Sequence, residues 1–248
     1  DSDYTDLHVG LLSWRPETGM DFDLKLIRDR FLSSISDIAT RCKNRKFRFV
    51  RFITLGDILH IDNSRQTTTN GTFQQVDGRI AKIFDYAADM LIAAVLELKK
   101  LRAKIEYVYV AGNHDRDTGY FLAKCVQLAF NKDESVVFDI EPNPLKIKNY
   151  GVSVVGYGHG DVPRKNLAEW IIKQFRKETA EAKYVEIHYG HLHNKTEEEL
   201  SGCRIIRLPS LCESSYWEHQ QGYTCERALM CFVWNMDKGK RETWITNF

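Results

Sequence analysis

The chain has 248 residues, 43% of them hydrophobic, so it can bury a substantial core. Its 35 lysines and arginines nearly balance 34 aspartates and glutamates, which excludes a molecule that coats nucleic acid through overall positive charge. The six cysteines form no C-x-x-C pair, which argues against a zinc ribbon or a dithiol redox motif and favours reduced cysteines of an intracellular protein.

Strands and helices alternate in the first half of the sequence. Apolar spacing predicts a helix over 22–42, a strand over 47–55, a long helix over 76–102, a strand over 105–112 and a helix over 120–130. The polar stretch over 61–75 predicts a loop, and loops of that length are commonly functional.

The second half is richer in strands. They are predicted over 135–140, 145–150, 152–158, 183–190, 203–210, 228–235 and 241–247, with one helix near 164–178. The run KTEEEL over 195–200 is interpreted as a solvated turn, and His188 as a structural residue. No Pro/Gly/Ser-rich linker divides the chain, so we predict a single α/β domain over 1–248 with two packed sheets and outer helices.

Residues that commonly bind metals follow five of the predicted strands. They are Asp6 and His8 in TDLHVG, Asp57 in LGDILH, Asn113, His114 and Asp115 in AGNHD, His159 in GYGHGD, and His191 and His193 in YGHLHNK. Strand ends at one edge of an α/β sheet are a common place for ligands, so together these weak motifs predict one site. Oxygen and imidazole donors without thiolate suit two divalent ions, which can clamp a phosphoryl group and acidify a water.

In their order, the motifs D-x-H, G-D, G-N-H-D, H-G and G-H-x-H resemble the calcineurin-like metallophosphoesterase superfamily. The resemblance extends from residue 6 to residue 193 and implies a four-layer α/β/β/α sandwich of two mixed sheets flanked by helices. The family's first strand precedes D-x-H, and here only DSDYT stands in that place, so we expect this strand to be truncated.

The resemblance also implies a role for each site residue. Asp6, His8 and His193 would bind one ion, Asn113, His159 and His191 the other, and Asp57 both. His114 would be the general acid, with Asp115 orienting its ring. The two ions are expected to be Mn²⁺, with iron, zinc and nickel also compatible.

Within the superfamily, LGDILHIDN resembles the double-strand-break repair exonucleases. The stretch from GNHD to WEHQQGY is similar to phage and bacterial enzymes described as DNA-repair-exonuclease-like. We therefore expect a phosphodiesterase or nuclease acting on DNA or nucleotides in a bacterial or phage-infected cytoplasm, without membrane contact. A homodimer or an additional upstream domain is compatible with this interpretation. The absence of an evident DNA-capping segment argues against processive cleavage of duplexes.

Contacts to the substrate are less specific in the sequence. His60, Arg116, Arg65 and His219 are candidates, although each is equally typical of a loop histidine or a solvated side chain. Tyr216, Trp217 and Tyr223 could stack on a base or pack in the core. Two other functions stay open: a phosphomonoesterase for a phosphoprotein or small metabolite, and a non-catalytic scaffold that kept the fold.

Overall fold

The computed structural model describes residues 1–161, 166–200 and 202–248. Eleven strands and seven helices lie within these residues. The strands are β1 (Ser2–Tyr4), β2 (Phe49–Leu55), β3 (Lys104–Val110), β4 (Val136–Asp139), β5 (Leu145–Tyr150), β6 (Ser153–Gly158), β7 (Tyr184–Tyr189), β8 (Thr196–Leu200), β9 (Cys203–Arg207), β10 (Ala228–Asn235) and β11 (Gly239–Asn247). The helices are α1 (Arg15–Thr18), α2 (Leu24–Cys42), α3 (Ile80–Lys99), α4 (Arg116–Ala129), α5 (Leu167–Gln174), α6 (Arg176–Glu181) and α7 (Tyr216–Gln220).

The first sheet has six strands in the order β11-β10-β1-β2-β3-β4. Strands β1 to β4 run parallel, and β10 and β11 extend the sheet by antiparallel pairing. Helices α2, α3 and α4 cover its outer face with apolar stripes. The buried positions of α2 include Leu24, Ile27, Phe31, Ile35 and Ile38. This helix begins at Asp23, whose side chain accepts a hydrogen bond from the Leu26 amide at 2.7 Å.

The second sheet has five strands in the order β5-β6-β7-β9-β8. Leu167 and Ile171 of α5 pack on its outer face against Leu145 and Ile187. Its inner face meets the first sheet in a shared apolar core that includes Ile53, Leu55, Val108, Val155, Tyr157 and Ile206. The layers are therefore α/β/β/α, and the predicted four-layer sandwich is confirmed.

All of the predicted strands are present, and the helices differ mainly at their ends. Helix α4 begins at Arg116, four residues before the predicted start, and α3 is shorter than predicted. The helix predicted near 164–178 is divided at Phe175 into α5 and α6. Its first predicted residues, 164 and 165, lie outside the described residues.

The prediction of a turn over 195–200 is wrong, because Thr196–Leu200 forms the edge strand β8. Its three glutamates are exposed, and among the described strands it pairs only with β9. Charged side chains are common on edge strands, where they discourage pairing with another chain. Among the helices in the described residues, none combines the length and apolar character needed to cross a membrane.

Candidate metal centre

The structure brings the predicted ligands together at one edge of the sandwich. In the first sheet, Asp6, Asp57 and Asn113 lie two or three residues beyond β1, β2 and β3; in the second, His159 directly follows β6 and His191 follows β7 by two residues. Among the described residues, five groups of potential ligands have their ligand atoms within 4.8 Å of one another, and two of these groups share Asp57. They are Asp6, His8 and Asp57, and Asp57, His159 and His191. This sharing fits the bridging position predicted for Asp57.

Asp6 has one carboxylate oxygen fixed by the protein and one left over. Its Oδ2 accepts hydrogen bonds from the Thr5 hydroxyl at 2.6 Å and the His191 amide at 2.8 Å. Its Oδ1 is buried without a hydrogen-bond partner among the described residues and lies 3.5 Å from Nε2 of His193. Nε2 of His8 is 3.1 Å from that same nitrogen. One carboxylate oxygen and two imidazole nitrogens thus converge on one point, a donor set that fits a divalent cation.

The second position is built around His159. Its Nδ1 faces the Leu55 carbonyl oxygen at 2.7 Å and donates to it, since a carbonyl only accepts. This fixes Nε2 towards Asp57 Oδ2 and Asn113 Oδ1, each 3.1 Å away. The hydrogen bond at Nδ1 therefore sets the tautomer that a metal ligand requires.

The electrostatics of the cluster leave His8 and Asp57 in their ligating forms and His159 protonated. Burial, reinforced by His114 and His193, lowers the pKa of His8 well below its usual value, so its imidazole is neutral. Burial would raise the pKa of Asp57, but His159 and His114 outweigh it and hold that pKa well below its usual range. Burial would also lower the pKa of His159, yet the Asp57 carboxylate raises it to about 10. A cation bound between these two would displace that proton.

Backbone strain is concentrated at the same residues. Seven non-glycine residues in the described part of the chain have positive φ, and five of them are predicted ligands: Asp6, His8, Asp57, His191 and His193, with φ of 52°, 45°, 52°, 71° and 57°. Non-glycine residues rarely adopt this conformation and persist in it mainly where surrounding structure imposes it, often at functional sites.

Two glycines allow the ligand loops to approach one another. A Cβ on Gly190 would lie 1.8 Å from the Thr5 hydroxyl oxygen, and one on Gly112 would lie 2.0 Å from Oδ1 of Asp57. Neither space can hold a side chain. Gly190 lets a loop of the second sheet approach the first sheet, and Gly112 lets two loops of the first sheet approach each other, which is a matter of space rather than of turn conformation.

Neither a protein-family model nor a curated protein sequence matches the chain. In structure, it is similar to an archaeal phosphodiesterase at 14% identity and a TM-score of 0.48, over 100% of this chain and 98% of that one. It is also similar to a single-residue variant of Vps29 from Entamoeba histolytica, at 13% identity and a TM-score of 0.43, over 100% and 98% of the two chains. A third similar structure is a conserved predicted phosphoesterase from Streptococcus pneumoniae, at 10% identity and a TM-score of 0.37, over 100% and 96%.

Asp115 does not contact the ring of His114 as predicted, but the loop that carries Asp57. Its buried carboxylate accepts hydrogen bonds from the amides of Asp57 and Leu59, at 3.1 and 2.9 Å, and so braces the loop that carries Asp57. Burial, with the nearby Asp57 charge, raises the pKa of Asp115 to about 7. The ring of His114 is instead oriented by the His60 carbonyl oxygen, 3.0 Å from Nδ1.

The residues predicted to contact the substrate lie in other surroundings than expected. His60 is only 3% exposed, and its Nδ1 lies 3.0 Å from Nδ1 of His8, so it orients a predicted ligand. Arg116 pairs with Asp161 at 3.3 Å, and both line a cavity separate from the one at the centre. Arg65 and His219 are exposed and lie outside the described residues that line the cavity at the centre.

Sequence reasoning missed Glu218. Its Oε1 lies 3.0 Å from Nδ1 of His193, and a carboxylate in this position fixes the ring of a metal-binding histidine. Burial would raise its pKa, but His193 and the Ser215 cap lower it to about 2. The signal was present as the capping box S-x-x-E over 215–218, which begins α7.

Proposed function

We propose that this protein is a dinuclear, metal-dependent phosphodiesterase that cleaves nucleic acid or nucleotides. The observation that carries the proposal is the pair of ligand groups that share Asp57. Oδ1 of Asp6, which has no hydrogen-bond partner in the part of the chain that the structure describes, belongs to one of them. Asp6, His8 and His193 would hold the first ion, and Asn113, His159 and His191 the second. When bound, such ions clamp a phosphoryl group and activate water.

His114 has the geometry of a general acid. Its Nδ1 donates to the His60 carbonyl, which leaves Nε2 as the nitrogen that exchanges a proton. The ring lines the cavity at the centre, where Nε2–H of the imidazolium would protonate the leaving oxygen. His60 and Glu218 would not contact the ions, but would orient the ligands His8 and His193.

Mn²⁺ is the proposed ion because the donors are carboxylate, amide and imidazole groups, and iron, zinc or nickel would fit the same set. The G-D-I-L-H segment over 56–60 and its likeness to DNA-repair exonucleases favour a nucleotide diester over a phosphomonoester. A phosphomonoesterase is the second candidate, which the experiment below separates from the first.

The test is hydrolysis of bis(p-nitrophenyl) phosphate and p-nitrophenyl phosphate by purified protein with Mn²⁺. The wild type should cleave the diester faster, and Asp57→Asn should lose that activity. His114→Ala should affect the nitrophenyl ester less than an oligonucleotide, since an alkoxide leaving group depends more on an acid than nitrophenolate does.

Two results would contradict the proposal. If the wild type cleaved the diester no faster than Asp57→Asn does, the protein would not be a phosphodiesterase that depends on this centre. Faster cleavage of the monoester would favour the second candidate. Oligonucleotide, cyclic nucleotide and RNA substrates then define the range of diesters.

A further inference from the structure

A cavity of about 810 Å³ opens directly over the candidate metal centre. It is lined by His8, Asp57 and His114 of the centre, by residues 72–74 and by several residues of the segment 214–225. This volume falls within the range of about 300–1,000 Å³ that is typical of sites for small molecules. There is therefore room beside the phosphate position for a bulky group of the substrate.

Three exposed aromatic side chains line this cavity: Phe73, Trp217 and Tyr223, at 64%, 61% and 56% exposure. Phe73 comes from the segment 72–74, and the other two come from the segment 214–225. Large aromatic side chains are normally well buried, so several exposed ones in a single cavity suggest a ligand that covers them. The cavity thus offers flat apolar surfaces from two separate segments of the chain.

The wall that carries Trp217 is held against the metal centre. Trp217 is followed by Glu218, whose carboxylate contacts His193 at 3.0 Å and accepts a hydrogen bond from the Ser215 amide at 2.7 Å. The rings of Trp217 and Tyr223 meet edge to face with centroids 5.9 Å apart. The aromatic surface is consequently fixed relative to the predicted ligands, as a stacking platform requires.

The charges of the cavity suit an anionic ligand. Arg207 lines it and makes no ion pair with a described carboxylate; its Nε donates to the Asn194 carbonyl at 3.0 Å. The carboxylates of Asp57 and Glu218, by contrast, are already engaged by His159 and His193. A phosphate next to the scissile one would find a guanidinium here.

We propose that this cavity binds an unpaired nucleotide, with its base held against Phe73 and Trp217, and that the substrate is single-stranded nucleic acid. This inference rests on the proposed phosphodiesterase function and names its substrate class. Aromatic side chains stack on any base whose face is free, whereas the faces of duplex bases are covered by their neighbours.

The test is binding of a fluorescent single-stranded oligothymidylate, measured by anisotropy in EDTA so that no cleavage occurs. An abasic strand of the same length and a duplex serve as comparisons. The wild type should bind the oligothymidylate about tenfold more tightly than either. Phe73→Ala and Trp217→Ala should each remove most of this preference, and Trp217→Phe should retain it.

Tyr184→Ala is the matched control, because Tyr184 is also an exposed aromatic but begins β7, at the strand end opposite the centre. It should leave the preference unchanged. Equal binding of the abasic strand or the duplex, or full preference in both alanine variants, would overturn the inference. Hydrolysis of bis(p-nitrophenyl) phosphate is measured separately. A preference for strands with bases, without diester cleavage, would contradict the proposed function but not the binding of an unpaired nucleotide.

Discussion

Two buried histidines of this chain lie close to carboxylates, yet their surroundings have opposite effects. His188 lies within β7, where Nδ1 faces Asp3 at 2.5 Å and Nε2 faces Glu186 at 3.3 Å. Burial lowers its pKa, but the two carboxylates outweigh that effect and raise it. His8 lies beyond a strand end, where burial lowers its pKa and the neighbouring histidines, two of which face its ring nitrogens, lower it further.

The comparison shows that distance alone does not distinguish a metal site from a buried ion cluster. Asp1, Asp3 and His188 also have potential ligand atoms within 4.8 Å of one another. His188, however, has a carboxylate at each ring nitrogen and lies in regular strand, while His8 has positive φ and imidazole neighbours. His188 therefore belongs to a buried ion cluster, whereas His8 lies among imidazoles on backbone of positive φ.

The largest expected effect concerns the residue shared by both ligand groups. Asp57→Asn should lower diester hydrolysis by about 10³-fold or more, beyond the roughly 10–100-fold typical of residues that only orient a ligand. It should also lower the affinity for both ions, whereas His193→Ala should lower the affinity for one ion first. Metal titration of the two variants distinguishes these outcomes, and identical metal loss in both would contradict the shared role.

The next effect tests the structural cluster. Asp3→Asn removes one carboxylate from the buried His188 and should cost about 3–5 kcal/mol of unfolding free energy, with metal content unchanged. Urea denaturation measures this cost. Asp37→Asn is the control, since Asp37 pairs with Arg41 near the surface at 2.9 Å and should cost less than about 1 kcal/mol. Loss of metal from the Asp3 variant would break the distinction between the clusters.

Glu218→Gln should have an intermediate effect on the metal centre. Because the carboxylate orients His193, its loss should lower the affinity for the first ion by about 10–100-fold, while the second ion stays bound. Isothermal titration with Mn²⁺ checks this. His219→Gln, on the next and exposed residue of α7, should bind as the wild type does; equal affinity in both variants would deny Glu218 this role.

The smallest effect is the pH dependence contributed by His188. Its raised pKa means that its stabilisation is fully present below the unfolded value of about 6.5 and is lost as pH rises through the folded value. Urea unfolding of the metal-loaded protein should therefore show a decline towards alkaline pH that is shallower in Asp3→Asn. An equal decline in both would assign the pH dependence to other groups.

The convergence of the ligands could be predicted because each motif follows a strand and parallel strands end at one edge. Asp57 and His159 illustrate this, since their positions after β2 and β6 follow from the periodicity of those strands, whereas the strand before Asp6 was expected from the resemblance. The layer order came from the resemblance and agrees with the packing of both sheets.

Contacts between distant segments could not be predicted in this way. Glu218 reaches His193 across a separate loop, and the ring of His114 meets a backbone carbonyl that leaves no trace in residue type. His60 suggested a substrate contact because only its spacing was visible, whereas its burial against His8 depends on how two loops pack. The strand β8 was missed because edge pairing tolerates a polar sequence.

The predicted ligands come from loops of both sheets, and this has a consequence for how the molecule would come apart. Asp6 and His191 are 185 residues apart in the chain and already share a hydrogen bond. An ion held between Asp6 and His193 would close a loop of comparable length, and it would stabilise only the folded state. Separating the two sheets and releasing the ion would then be a single event, so the ion would serve as a tie across the sandwich as well as a reagent.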